Sequence, residues 1–148
     1  MGDAFEVLLV THAALSKGYF SALQLILDID QNDLDVLSFE AGEALDTFSN
    51  KISEVVENKY KNKNMVILLD LPGGTPANMA LPFLSDSRKL VAGINLPLVL
   101  ELMIAKKNGV SWEELNVEII IENARKSILF YNKMYRLGYA NDKILSNG

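Results

Sequence analysis

The sequence holds a single histidine, His12. One is enough for nucleophilic or general-base chemistry, because an imidazole with an unperturbed pKa of about 6.5 is largely neutral at physiological pH. His12 follows directly on the apolar run Phe5-Glu6-Val7-Leu8-Leu9-Val10-Thr11, which reads as a first strand. A residue at the C-terminal end of a buried strand faces the crevice where open α/β sheets bind ligands. Position alone favours an ordinary loop histidine. Asp70 narrows the choice, because it closes the most apolar run, Met65–Leu69, as His12 closes the first. In a sheet of order 2-1-3-4, strands one and three are neighbours and the chain changes direction between them, which sets His12 and Asp70 side by side. A carboxylate bonded to one imidazole nitrogen fixes the tautomer and leaves the other nitrogen free to attack. Alone, Asp70 would also serve as a loop cap.

The loop after Asp70 reads Leu71-Pro72-Gly73-Gly74-Thr75-Pro76-Ala77-Asn78. Two glycines let backbone amides come close to a bound group. Thr75 is suited to an N-cap and Pro76 to the first helical position. A helix starting here aims free N–H groups and its positive dipole end at the crevice beside His12, which makes an anion site. By itself Gly-Gly-Thr-Pro is a tight turn before a capped helix. Histidine, aspartate and an anion-ready helix start on one sheet edge together describe a histidine that receives a phosphoryl group. Leu71, Pro72, Leu96 and Pro97 are expected to rim that site, as loop packing or as a docking patch.

Several classes are excluded by composition. The 148 residues fit one domain, 49% of them are hydrophobic, and the net charge of −5 argues against a nucleic-acid partner. No cysteine is present, so disulfide, Cys-zinc and thiol chemistry drop out, and one histidine cannot build a multi-histidine metal site. Neither a metal nor a cofactor is expected. The N-terminus lacks the pattern of a signal peptide, and no apolar run reaches the roughly 18 residues needed to cross a bilayer; a soluble cytoplasmic domain is expected. A response-regulator receiver would need an acidic pair after strand one, where Val10-Thr11-His12 stands. A nucleotide or flavin module would need a Walker loop or a Gly-x-Gly-x-x-Gly fingerprint, and Pro72-Gly73-Gly74-Thr75 is neither. A pure interaction domain would not need the three features on one edge.

The elements that must position these residues alternate. Strands are expected at Phe5–Thr11, Leu34–Phe39, Met65–Leu69 and Lys89–Ile94. Helices are expected from about Leu15 to Asp28, from Gly42 to about Lys59, over Thr75–Leu84 and Pro97–Lys107, and from a capping box at Ser111-Trp112-Glu113-Glu114. Met79, Phe83, Met103 and Trp112 read as core. The segment Lys126–Tyr139 fits helix or strand on pattern alone. Alternation of this kind predicts an α/β fold of three layers, a mainly parallel sheet with helices on both faces.

Three stretches, Val10-Thr11-His12, Leu68 through Asn78, and Ala92-Gly93-Ile94-Asn95-Leu96-Pro97, resemble the enzyme IIA component of the mannose-type phosphoenolpyruvate-dependent sugar phosphotransferase system. The resemblance covers about residues 5 to 130, with the motifs in the family's order and spacing. It implies that His12 accepts a phosphoryl group from the phospho-histidine carrier HPr and passes it to a IIB partner, with a membrane IIC/IID permease served indirectly. It implies that Asp70 bonds one ring nitrogen while Gly73, Gly74 and Thr75 contact the phosphate. It also implies a homodimer in which an antiparallel C-terminal strand, here about Lys126–Asn132 with the Ile128-Leu129-Phe130-Tyr131 run, pairs with the partner's sheet. That exchanged segment and tail would occupy about 126–148 of one domain spanning 1–148. Family members usually carry Gly directly after the histidine, where this chain has Ala13. No IIB domain or Ala/Pro-rich linker follows, which points to a stand-alone IIA. The sugar is not legible, because a IIA does not touch it.

Overall fold

The computed structural model describes residues 2–136. Strands β1 (Phe5–His12), β2 (Asp35–Phe39), β3 (Asn64–Leu69) and β4 (Arg88–Ala92) form one all-parallel sheet in the order β2-β1-β3-β4. Strand side chains alternate between faces, so each central strand feeds two cores. Val7, Leu9, Val66 and Leu68 pack against α1 (Leu15–Leu27), α4 (Leu96–Lys107) and α5 (Val117–Lys126). Leu8, Val10, Met65, Ile67 and Leu69 pack against α2 (Leu45–Ser53) and α3 (Thr75–Ala80). This is why β1 and β3 are apolar without a break: both faces are covered. Met103 is fully buried, while Met79, Phe83 and Trp112 pack half-buried against the two cores.

The expected order and layering hold, and the differences are local. The helix expected from Gly42 to Lys59 is α-helical only over Leu45–Ser53; Glu54–Lys59 widens into a π-helix. Its last turn closes by a bond from the Tyr60 amide to the Val55 carbonyl, five residues back. The buried Arg88 guanidinium draws off the nearby carbonyls of Val56, Tyr60 and Lys63. A three-to-four-residue apolar stripe cannot distinguish these two helix types. The helix expected over Thr75–Leu84 stops at Ala80 and passes into a 3-10 turn at Leu81–Phe83, because Pro82 has no N–H to continue the ladder. Strand four ends at Ala92, since Gly93 turns away at φ +82° and the amides of Gly93 and Ile94 both reach the Leu69 carbonyl.

The Ser111 capping box also forms, but it closes a single turn. The Ser111 hydroxyl bonds the Glu114 carboxylate and accepts from the Glu114 amide, while α5 starts later with Asn116 as its N-cap. The segment 126–132 is not a strand in the single chain. Helix α5 ends at Lys126, residues 128–130 have no regular structure, and 131–136 are helical. Among the described residues it pairs with neither free edge of the sheet, β2 or β4. Of the expected tail, 137–148 lies outside the described residues.

At the opposite edge of the sheet from His12, the Tyr60 hydroxyl and the Lys59 ammonium both donate to the Asp35 carboxylate, tying the π-helix to the start of β2. Burial, and then the bond to Asp35, push the Tyr60 hydroxyl up to about 12. An unfolded tyrosine ionises near 10, so the folded state holds this proton more tightly. The stabilisation is present in full below about pH 10 and is lost as pH rises toward about 12. Urea midpoints measured on either side of this window should fall in the wild type and fall less in Tyr60→Phe.

Candidate active site

His12 is the last residue of β1, and its register partner across the sheet is Phe39, the last residue of β2. Asp70 follows β3 directly. Because β1 and β3 are adjacent and parallel, their C-terminal ends meet, and the geometry is tight. Asp70 Oδ2 accepts from the backbone N–H of His12 at 2.9 Å and lies 2.9 Å from ring Nδ1. A carboxylate oxygen already holding one N–H at that distance from a ring nitrogen places the proton on Nδ1, and Nε2 is left with its lone pair free. The Asp70 side chain is 10% exposed and that of His12 43%. The carboxylate is thus shielded from competing water while the ring reaches solvent. Phe39 packs edge-on against the ring at 6.5 Å.

Tyr19, half-buried on α1, belongs to the same neighbourhood: burial, and then the Asp70 charge, raise its pKa above the ordinary tyrosine value. Neither Phe39 nor Tyr19 was legible as a site residue. Phe39 could have been found as the C-terminal residue of the strand beside β1, whereas Tyr19 had no signal beyond a helical stripe.

The loop 71–75 wraps the exposed side of the ring. At Gly73 the backbone takes φ +78° into open space, while at Gly74 the backbone is extended and a Cβ would stand 2.8 Å from His12 Cε1 and 3.4 Å from Nε2. The two glycines therefore have different reasons: Gly73 for its dihedral, Gly74 for closeness to the reactive nitrogen. Thr75 is not the N-cap. It is the first residue of α3, with Gly74 in the cap position and no side-chain cap bond. Instead the Asn78 side chain donates back to the Gly73 carbonyl at 3.2 Å, a brace that the motif contained and that carried no role in the sequence reading. The Gly74 amide is spent on the Leu71 carbonyl at 3.2 Å. The first-turn amides of Thr75 and Ala77 have no preceding helical carbonyl to bond.

Of the expected rim, Leu71, Pro72 and Pro97 are exposed, and Pro72 lies against Gly93, joining the loops after β3 and β4. Leu96 differs: it is half-buried and packs on the α1–α4 core. Exposed Leu15 and Leu45, at the starts of α1 and α2, stand on the same edge and were not singled out.

An open parallel sheet with a carboxylate-held, solvent-facing histidine at its switch point defines the class to which this site belongs. Residues 6–120 match the family model described as PTS system fructose IIA component, and the chain belongs to that mannose/fructose-type IIA family. It is similar to the mannose-specific EIIAB component of Escherichia coli K12, at 24% identity over 124 residues, which cover 82% of this chain and 38% of that protein. The chain thus corresponds to well under half of that relative's length. It also resembles the fructose-specific EIIA component of Bacillus subtilis, at 28% identity over 81 residues, 53% of this chain and 56% of that one.

Among solved structures, the IIA protein associated with the fucose utilization operon of Streptococcus pneumoniae superposes with a TM-score of 0.77 at 25% identity, covering 90% of this chain and 98% of that one. The mannose/sorbose-specific IIA subunit of Enterococcus faecalis gives a TM-score of 0.72 at 22% identity over 88% and 95% of the two chains, a likeness of fold. Among the described residues, no helix is long and apolar enough to cross a membrane.

The two glycines separate in a simple test. Gly74→Ala should push the His12 ring off Asp70, read as a change in the ring 15N shifts that report the Nδ1 proton. Gly73→Ala should leave those shifts in place and lower stability by about 1–2 kcal/mol, the cost of a left-handed L-residue.

Proposed function

We propose that this protein is a phosphocarrier of a sugar phosphotransferase system, in which His12 Nε2 accepts a phosphoryl group from phospho-HPr and hands it to a IIB component. The observation that carries this reading is the pairing of a largely buried Asp70 carboxylate with Nδ1 of a histidine whose side chain stays 43% exposed. In the forward step the Nε2 lone pair attacks phosphorus in line. The bond from phosphorus to the donor imidazole breaks, and its electron pair returns to the donor nitrogen. The His12 ring then carries added positive charge, which the Nδ1–H···Asp70 bond offsets. Transfer to IIB reverses the roles, with His12 as the leaving group.

Phosphoryl transfer asks mainly for positioning and for neutralisation of the equatorial oxygens. The Thr75 hydroxyl and the first-turn amides of α3 are the groups we assign to the phosphate, with Gly73 and Gly74 keeping the loop close. No Lys or Arg stands in the His12, Asp70–Asn78 or Ala92–Pro97 motifs, which suits a carrier that must release its cargo. Leu71, Pro72 and Pro97 support a docking patch for HPr and IIB. Through IIB the phosphate would serve a membrane IIC/IID permease, and a cytoplasmic location follows from these partners.

Homodimer formation is part of the same reading. The outer edge of β4 bears no strand among the described residues, and a groove lined by Leu84, Leu90, Leu115 and Val117 runs beside it. Ile128 and Phe130 are 79% and 71% exposed in the single chain. Pairing this segment with the partner's β4 would cover both, and element exchange is a low-cost route to a dimer.

Incubated with phosphoenolpyruvate, enzyme I and HPr, the protein should gain the mass of one acid-labile, base-stable phosphoryl group, and His12→Ala none. Unmodified wild type beside phosphorylated HPr would overturn the assignment. In quench-flow, Asp70→Asn should lose about one to three orders of magnitude in uptake rate, less than the matching change in a serine-protease triad, since no separate nucleophile must be deprotonated. Thr75→Ala should lose less than about tenfold, one hydroxyl contact. Asp70→Asn at the wild-type rate would reduce Asp70 to a loop cap. Sedimentation equilibrium at micromolar concentration should give a dimer that Phe130→Asp shifts toward monomer; a wild-type monomer would count against the exchange.

A further inference from the structure

The chain must turn sharply between His12 and α1, and it does so without glycine. Ala13 takes φ +47°, a conformation that costs an L-residue its usual backbone preference. The residue that N-caps α1, Ala14, has no side chain with which to cap it. Both problems meet at one side chain. Thr11 is completely buried, on the strand face that carries α1, and in register with Ser38 of β2. Its Oγ1 accepts from the Ser16 backbone N–H at 2.7 Å, which supplies the missing cap from three residues upstream of the cap position. The same hydroxyl donates to the His12 carbonyl at 3.3 Å.

His12 is therefore gripped on both sides of its Cα, by Asp70 at its N–H and by Thr11 at its C=O. The turn is closed by the Ala13 amide on the Phe39 carbonyl at 2.8 Å, and behind it the fully buried Ser16 bonds Ser38 hydroxyl to hydroxyl at 2.9 Å.

We propose that Thr11 is a positioning residue for the phosphoryl acceptor: its buried hydroxyl clamps the left-handed Ala13 turn and so fixes the His12 backbone from which the ring reaches Asp70. The inference rests on the phosphocarrier reading for its consequence but not for its geometry. Thr11 touches no reacting atom. Loss of its hydroxyl takes from the Ser16 N–H and the His12 carbonyl the partner that Thr11 supplies, while removing no group that contacts phosphate. The turn then relaxes, the ring drifts on Asp70, and the fraction of molecules with the proton on Nδ1 and Nε2 aimed outward falls.

The test uses the full chain and two readouts. Ring 15N NMR of His12 needs no partner protein; the Nδ1-protonated population should fall in Thr11→Val and be restored in Thr11→Ser, which keeps the hydroxyl. Uptake from phospho-HPr should show kcat down about three- to tenfold in Thr11→Val with KM unchanged, and within about twofold of wild type in Thr11→Ser. On an Ala13→Gly background, where the turn is no longer strained, the same Thr11→Val change should cost less than it does alone.

A folded Thr11→Val with wild-type ring shifts and kcat overturns the proposal. So does a Thr11→Ser as impaired as Thr11→Val, or an undiminished loss on the Ala13→Gly background. If Thr11→Val does not fold, Thr11→Cys carries the test, since a thiol is a weaker acceptor: an intermediate loss supports the clamp and wild-type behaviour overturns it. Failure of wild type to take up phosphate would defeat the phosphocarrier reading instead, with the ring shifts still deciding the clamp.

Discussion

One carboxylate oxygen, Asp70 Oδ2, takes two hydrogens from the same residue, the backbone N–H of His12 and its ring Nδ1–H. A residue held at both its backbone and its ring has little freedom left to lose when it reacts, and pre-organisation of that kind is where much of a transfer reaction's rate advantage arises. The bond depends on β1 and β3 running parallel and adjacent, with β1 continuing two residues past Val10, the partner of β3's last residue Leu69. Parallel adjacency in turn requires a crossover, supplied by α1, β2 and α2, and helices on both faces of the sheet. The two cores are thus the consequence of bringing two strand ends together at one edge.

The same constraint explains the chemistry at the loops. A ring bonded to Asp70 can move aside only by giving up that bond, so the loop passing over it must be small where it comes near, as it is at Gly74. On the proposed reading, an arriving phosphate would meet backbone amides and a hydroxyl with no fixed cation. Such a site stabilises a transferring group without trapping it, which matches a protein that must give up what it accepts. Leu15, Leu45 and Leu71, exposed at the element starts and loop on the His12 edge, would suit the docking surface proposed there.

Away from this edge, polar ties from the buried Arg88 to the half-exposed Lys59 join the ends of elements. Arg88 captures the carbonyls at the end of the π-helix, Asp35 binds Tyr60 and Lys59, and Lys106 reaches Glu6 and the Asp33 carbonyl. Each of them joins an element end to a strand or loop on the side of the sheet remote from His12.

Much was legible from residue order alone, because it follows from local rules. Unbroken apolar runs between helical stripes dictate a doubly covered parallel sheet. A histidine and an aspartate that close the first and third strands meet at one edge once the strand order is 2-1-3-4. What tertiary structure alone decided lies wherever a distant group competes for a local bond. A capping box at Ser111 describes a helix start, yet Asn116 begins the helix. Thr75 has the type of an N-cap and sits inside the helix, because the loop must lay Gly74 against the ring. The apolar stripe before Lys59 cannot announce a π-helix whose carbonyls are drawn off by an arginine 32 residues away. Local propensity is a matter of tenths of a kcal/mol to about 1 kcal/mol per residue. A buried, charge-assisted hydrogen bond to a distant residue outweighs it.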